Sequence, residues 1–176
     1  NAEPPAPIPY SEDTKPEFYK MVKHVYDAAK NATDDQKAAA TFWRDVPGVS
    51  SPGHWLSVLQ QLIRKTNTKL DKAAVAYALS GAAINDAIIS CWKTKYKYTL
   101  VRPITYVSNV MKDTTCKTNI GTPGHPEYSS GHAVLSGAGA EVLQEIFGNV
   151  GTITDRTYEY MGLPARTYPS ITAIAV

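Results

Sequence analysis

The sequence predicts an all-α protein, a helical bundle, on three observations. Apolar residues recur at steps of three and four along most of the 176-residue chain. Helix start signals precede several of these stretches, and no segment has a pattern strong enough to build a sheet. The unusually small residues of Ser136–Ala140 are typical of a core helix that packs closely against a neighbour.

Composition excludes some classes of partner. The formal net charge is +2 and the lysines are scattered, so nucleic-acid or membrane-surface binding has little support. No apolar run reaches the roughly 18 residues that a membrane span requires, so we expect no membrane span. Small-molecule partners are expected instead, and the oligomeric state is left open.

The domain organisation is predicted as an extended leader, residues 1–14, followed by one helical domain, residues 15–176. The stretch Ala2–Pro9 is too rich in proline for a helix. The first residue is Asn rather than Met, which suggests a processed N-terminus and export to the periplasm or the medium.

Helices are predicted over residues 15–30, over residues 34–46 and after Ser51-Pro52. Thr33 with Gln36 matches a capping box, and Ser51-Pro52 matches a cap followed by proline at the first helical position.

The longest helix is predicted from about Lys69 to Lys93 or beyond. Its buried stripe is predicted to comprise Leu70, Ala74, Tyr77, Gly81, Ile84, Ile88 and Cys91. One further step reaches Lys95, which is either buried with an anionic partner or a solvated cation at the helix end. Periodicity leaves both alternatives open.

Pro103 forces Arg102 out of helical geometry, and residues 104–125 are predicted to be a connection. Ser129 or Ser130 is expected to cap a helix over residues 131–147. The segment Ser170–Val176 resembles the start of another helix.

Five of these features together predict an oxyanion pocket between core helices. Lysine supplies a point charge and arginine a planar fork of donors. A serine hydroxyl and the free N–H groups of a helix N-terminus add donors, and histidine can move protons beside the anion. These residues are Lys95, Arg102, Ser130, Gly131 and His132.

The same residues resemble the signature of the type 2 phosphatidic acid phosphatase superfamily, which includes the vanadium-dependent haloperoxidases. The matching elements are Lys95 and Arg102-Pro103, separated by six residues, and Tyr128-Ser-Ser-Gly-His132. Ser129 stands where the family usually has proline. The surrounding stretches Phe42–Asp45, Pro52–Trp55, Asn85-Asp86 and Cys91–Lys93 resemble the soluble bacterial haloperoxidase-like branch.

The resemblance implies roles residue by residue. Lys95, Arg102, Ser130 and the N–H of Gly131 would bind the oxygens of vanadate or phosphate, and His132 would be the acid–base histidine. The implied activity is oxidation of halide by hydrogen peroxide on bound vanadate. The alternatives are an acid phosphatase acting through a phosphohistidine, and a non-catalytic oxyanion-binding helical domain.

One element of the family pattern is absent from this sequence. The family has Ser-Arg followed by a histidine that binds vanadium or attacks phosphate, but none of the four histidines follows His132. No direct metal ligand is therefore expected here. We expect that histidine beyond the C-terminus of a truncated chain, and we expect these 176 residues by themselves to lack normal activity.

The remaining candidates carry weaker signals. His54 and His125 are candidate pocket residues, although packing or a loop position explains each equally simply. Cys91 and Cys116 are expected to be two separate thiols, with a single disulfide as the minority alternative.

Overall fold

The computed structural model describes residues 4–46 and 48–175. In this part of the chain the elements are α1 (Glu17–Lys30), α2 (Asp34–Trp43), α3 (Ser51–Lys65), α4 (Leu70–Tyr98), α5 (Pro103–Asn109) and α6 (Gly131–Phe147), then β1 (Ile153–Asp155) and β2 (Arg166–Tyr168). Short 3-10 turns lie at Glu159–Met161 and Thr172–Ile174. The all-α prediction is confirmed.

The chain divides into two compact units. The first, here called the α1/α5 unit, comprises the described residues of Asn1–Arg44 and Trp92–Ser129. The second, the α3/α6 unit, comprises those of Asp45–Cys91 and Ser130–Val176. Helix α4 contributes residues to both.

The core of the α1/α5 unit joins helices α1 and α5. Phe18 and Val22 of α1 pack with Tyr106 and Val107 of α5, and all four are buried. Residues 4–14 form no helix, and the Tyr106 hydroxyl donates to the Ser11 carbonyl at 2.6 Å. Residues 1–3 of the predicted leader and Val176 lie outside the described residues.

The core of the α3/α6 unit joins helices α3 and α6. Trp55, Leu59 and Leu62 of α3 are buried, as are Leu135 and Leu143 of α6. Helix α3 also contacts β1, and the last 3-10 turn packs on α6.

Most predicted helix boundaries agree with the structure. The Thr33–Gln36 capping box is formed, and α2 ends at Trp43 because Arg44 is extended, with φ −68° and ψ 150°. The cap of α3 is Ser50, one residue earlier than predicted, since its hydroxyl accepts from the Gly53 N–H.

Two local predictions in the second half of the chain were wrong. Residues 104–125 begin with helix α5, because Pro103 has the φ that a first helical turn requires and starts that helix. The structure also contains one small sheet that no sequence pattern indicated, in which β1 and β2 pair antiparallel from Ile153↔Tyr168 to Asp155↔Arg166. Strands of three residues are too short to show a period. The described part of the predicted C-terminal helix, residues 170–175, contains a 3-10 turn rather than an α-helix.

The buried stripe of α4 differs from the predicted one in its first half. The interior side comprises Ala73, Ala76, Ser80, Ile84, Cys91, Thr94 and Lys95, whereas Leu70 is 86% exposed and Tyr77 41% exposed. Helix α4 is apolar on more than one face, so periodicity alone does not identify the packed face.

By length and composition the stretch Leu70–Asn109 could cross a membrane. The core helix of a globular protein passes the same test, so the absence of a membrane span stays a prediction. The two-thiol prediction is confirmed, because neither Cys91 nor Cys116 is part of a disulfide.

Candidate functional site

Lys95 is a buried cation in the last turns of α4. Its side chain is 1% exposed, which decides between the two alternatives left by its periodicity. The ammonium donates to the carbonyl oxygens of Pro126 at 2.7 Å and Glu127 at 3.0 Å. Because burying an unpaired charge is costly, these carbonyl dipoles and any bound anion stabilise it. The arrangement holds a positive charge beside the 126–127 backbone.

Arg102 contacts the same segment from the N-cap of α5. Its Nε donates to the His125 carbonyl at 2.8 Å, and a terminal N–H lies 2.9 Å from His125 Nδ1. Guanidinium can only donate, so Nδ1 of His125 accepts. The other terminal nitrogen pairs with Glu127 at 2.9 Å. Lys95, Arg102 and residues 125–127 therefore form one group, here called the cation cluster.

His125 belongs to the cation cluster as a partner of Arg102. Its ring also lies 5.2 Å from the Trp92 ring. The structure thus gives this candidate pocket residue a defined role in holding the guanidinium, which its position in a loop does not reveal.

Ser130, Gly131 and His132 form the N-terminus of α6 in the α3/α6 unit. Ser130 is the N-cap, and its Oγ accepts from the Ala133 N–H at 3.3 Å. Gly131 and His132 are the first two helical residues, where backbone N–H groups have no partner within the helix. An anion at such an end gains both donors and a favourable dipole.

His132 is the last of three hydrogen-bonded side chains whose connection the sequence does not reveal. Its Nε2 lies 2.9 Å from Ser51 Oγ, which in turn donates to Asp45 Oδ1 at 2.7 Å. Ser51 was expected only as a helix cap, and Asp45 only as part of a stretch resembling the haloperoxidase branch. A serine at the start of a helix with an aspartate a few residues upstream is a common pattern. It therefore does not indicate a contact with His132.

The second candidate pocket histidine, His54, lies in the interior instead. It is 1% exposed, and its Nε2 lies 2.6 Å from Oδ2 of Asp155, which is fully buried. Burial alone would raise the pKa of Asp155, but the hydrogen bonds from His54 and Thr157 outweigh it and lower that pKa. His54 therefore connects α3 to β1, and packing explains it without a pocket.

The donor set fits an oxyanion rather than a bare metal ion. An ammonium, a guanidinium, a hydroxyl and helix N–H groups are complementary to the oxygens of phosphate or vanadate. Among the described residues no group of three or more His, Cys, Asp or Glu side chains could hold a metal ion. The structure brings Lys95 and Arg102 together in the α1/α5 unit, and Ser130 and His132 together in the α3/α6 unit.

Comparison with known proteins identifies the superfamily. A family model described as the VCPO second helical-bundle domain matches residues 75–122, which include Lys95 and Arg102. The crystal structure of a bacterial vanadium-dependent iodoperoxidase superposes with a TM-score of 0.88 and 37% sequence identity, over 98% of this chain. The chain belongs to the vanadium haloperoxidase-like superfamily.

The similarity to the iodoperoxidase extends over only part of that protein. The chain spans 43% of the iodoperoxidase chain that it matches. A search of curated proteins found no match. The superfamily fold is therefore shown, while the activity of the whole protein is a matter for proposal.

Proposed function

We propose that this protein is a vanadium-dependent haloperoxidase, which oxidises halide with hydrogen peroxide while vanadate is held by the residues described above. The observation that carries the proposal is Lys95, a lysine 1% exposed whose ammonium is held beside Arg102 by the 125–127 segment. Glu127 balances part of this positive charge, and a bound oxyanion would add charge-assisted contacts to both cations.

Each of the candidate site residues has a role in the proposed reaction. As the family resemblance implies, Lys95 and Arg102 would bind oxygens of the oxyanion as charge-assisted donors, and Ser130 with the Gly131 N–H would bind others. His132 would take up and return protons. When bound, vanadate supplies Lewis-acid activation of hydrogen peroxide towards halide. The histidine that binds vanadium in the family is not among the four in this sequence.

The first test is binding of vanadate to this chain, measured by ⁵¹V NMR and by competition with inorganic phosphate. Lys95→Met and Arg102→Met are each expected to weaken binding about tenfold or more, since each removes a charge-assisted contact. Lys97→Met is the matched control, because Lys97 lies on the same helix and is exposed. Equal binding by all four proteins would contradict the proposal.

The second test uses the natural mature protein, whose intact mass is measured first against the 19.2 kDa of this chain. Oxidation of iodide, bromide and chloride by peroxide is then measured with vanadate present. Turnover of a phosphomonoester instead would favour the phosphatase alternative, since phosphate and vanadate share shape and charge. Vanadate binding with neither activity would favour a non-catalytic oxyanion-binding domain. Export of the protein remains a prediction.

A further inference from the structure

We infer that Asp45 and Ser51 are positioning residues for His132, and that they assign the proton-exchanging atom of its ring to Nδ1. The catalytic part of this inference rests on the proposed function, but the assignment of the ring proton does not. The three side chains belong to the same unit.

The assignment follows from counting the protons in the hydrogen bonds that join Asp45, Ser51 and His132. Oδ1 of Asp45 accepts twice from Ser51, from the backbone N–H at 2.6 Å and from the hydroxyl at 2.7 Å. An ionised carboxylate can only accept, so the single hydroxyl proton of Ser51 points at Asp45.

The direction of this hydrogen bond determines which nitrogen of His132 carries a proton. With its proton committed to Asp45, Ser51 Oγ offers only lone pairs to the imidazole Nε2 at 2.9 Å. Nε2 must therefore carry a hydrogen and donate it. A neutral imidazole has one protonated nitrogen, so Nδ1 is then the acceptor and the atom that takes up and returns a proton.

The surrounding structure holds this chain of hydrogen bonds in place. Ser51 and His132 lie in the first turns of α3 and α6 respectively. These two helices are fixed to each other further along, where the Trp55 Nε1–H donates to Ser136 Oγ at 3.1 Å. The two ends of the Ser51–His132 contact are thus carried by packed helices rather than by mobile loops, which limits rotation of the ring.

For the proposed reaction, an imidazole held in one orientation and one tautomer begins every turnover ready to accept a proton at Nδ1. Loss of the partner that orients a metal-bound histidine typically lowers activity about 10–100-fold, and we expect an effect near the lower end of that range for the acid–base histidine His132. Ser51→Ala is therefore expected to lower the turnover number about tenfold in the natural protein. Ser51→Thr keeps the hydroxyl and is expected to restore most of it.

The deciding experiment reads the ring proton directly, by ¹H–¹⁵N NMR of the side-chain N–H groups in the chain without vanadate. His132→Gln identifies the His132 signal by its loss. The signal of buried His54 is the internal reference in every variant, because its pair with Asp155 does not involve Ser51. We expect a protected Nε2–H signal for His132 that disappears in Ser51→Ala and persists in Ser51→Thr.

Ser50→Ala controls for weakening of α3 itself. Ser50 caps the same helix through the Gly53 N–H, so its loss affects the helix start without removing the hydroxyl of Ser51. Persistence of the His132 signal in Ser51→Ala, or its equal loss in Ser50→Ala, would overturn the inference. The expected pattern in a protein that binds no vanadate would support the ring assignment while the proposed function failed, so the two failures are distinguishable.

Discussion

The indole of Trp55 lies so close to Gly139 of helix α6 that no side chain fits between them. A Cβ at position 139 would lie 2.7 Å from Cδ2 and 2.9 Å from Cε3 of the indole. Real Cβ atoms do not approach ring carbons this closely. The small-residue segment of α6 therefore has a specific partner, and glycine at position 139 is what allows α3 to pack against α6.

Gly139→Ala is expected to destabilise the chain by about 1–3 kcal/mol, because the buried indole must move to accept the methyl group. Gly137→Ala on the same helix is the matched control, since a Cβ there meets nothing within 4 Å. That control is expected to stabilise by about 0.5–1 kcal/mol through helix propensity. Urea unfolding measures both, and equal stability of the two variants would contradict the packing argument.

The His54–Asp155 pair predicts a loss of stability in acid. Since the folded structure lowers the pKa of Asp155 from its ordinary value of 3.8, the unfolded chain binds more protons than the folded chain just below that value. The contribution of this carboxylate is therefore complete above that value and is lost as the pH falls through the lower, folded pKa. Thermal unfolding between about pH 5 and 2 should show this decline.

Asp155→Asn tests whether this pair is responsible. The amide keeps the shape but not the charge, and we expect a loss of about 1–3 kcal/mol at neutral pH, where a charged hydrogen bond is removed. The acid decline should also be shallower than in the original chain. It should not vanish, because hydrogen bonds from Thr115 and Tyr26 lower the pKa of Asp113 as well. An unchanged slope would show that Asp155 is not an important contributor.

Lys95 is expected to hold the 126–127 backbone whether or not an anion is bound. Lys95→Met removes two donors, to the carbonyls of Pro126 and Glu127. The amide of Glu127, which donates to the Leu100 carbonyl at 2.9 Å, should then exchange with deuterium faster, by about tenfold or more for a loss near 1.4 kcal/mol. Hydrogen-exchange mass spectrometry checks this, with Lys97→Met as the control that should leave the rate unchanged.

The capping box of α2 predicts a local effect. Thr33 Oγ1 accepts from the Gln36 N–H at 3.2 Å, and Gln36 Oε1 accepts from the Thr33 N–H at 2.8 Å. Thr33→Ala leaves a helical N–H without its partner and should cost about 1 kcal/mol. Thr33→Ser retains the hydroxyl and should cost much less. Amide exchange confined to α2 measures the difference, and equal exchange in both variants would contradict it.

Local features of the site could be predicted from the sequence. The Ser130 cap, the start of α6 at Gly131 and the extended backbone of Arg102 before Pro103 all depend on neighbours within a few residues. The functional grouping of Lys95 with Arg102 came from their spacing and from the family resemblance. Local rules were less reliable for Pro103, which starts helix α5 where a break was expected.

The sequence by itself determined most of the helices and caps and the residue types suited to an oxyanion, because propensity, capping and spacing act over one or two turns. Only the tertiary structure decided which residues meet. Ser51 contacts His132 across 81 positions of the chain, and His54 contacts Asp155 across 101. Which face of α4 is buried was decided in the same way. Such contacts depend on how helices pack, and a helix apolar on several sides allows several packings with nearly equal local energies.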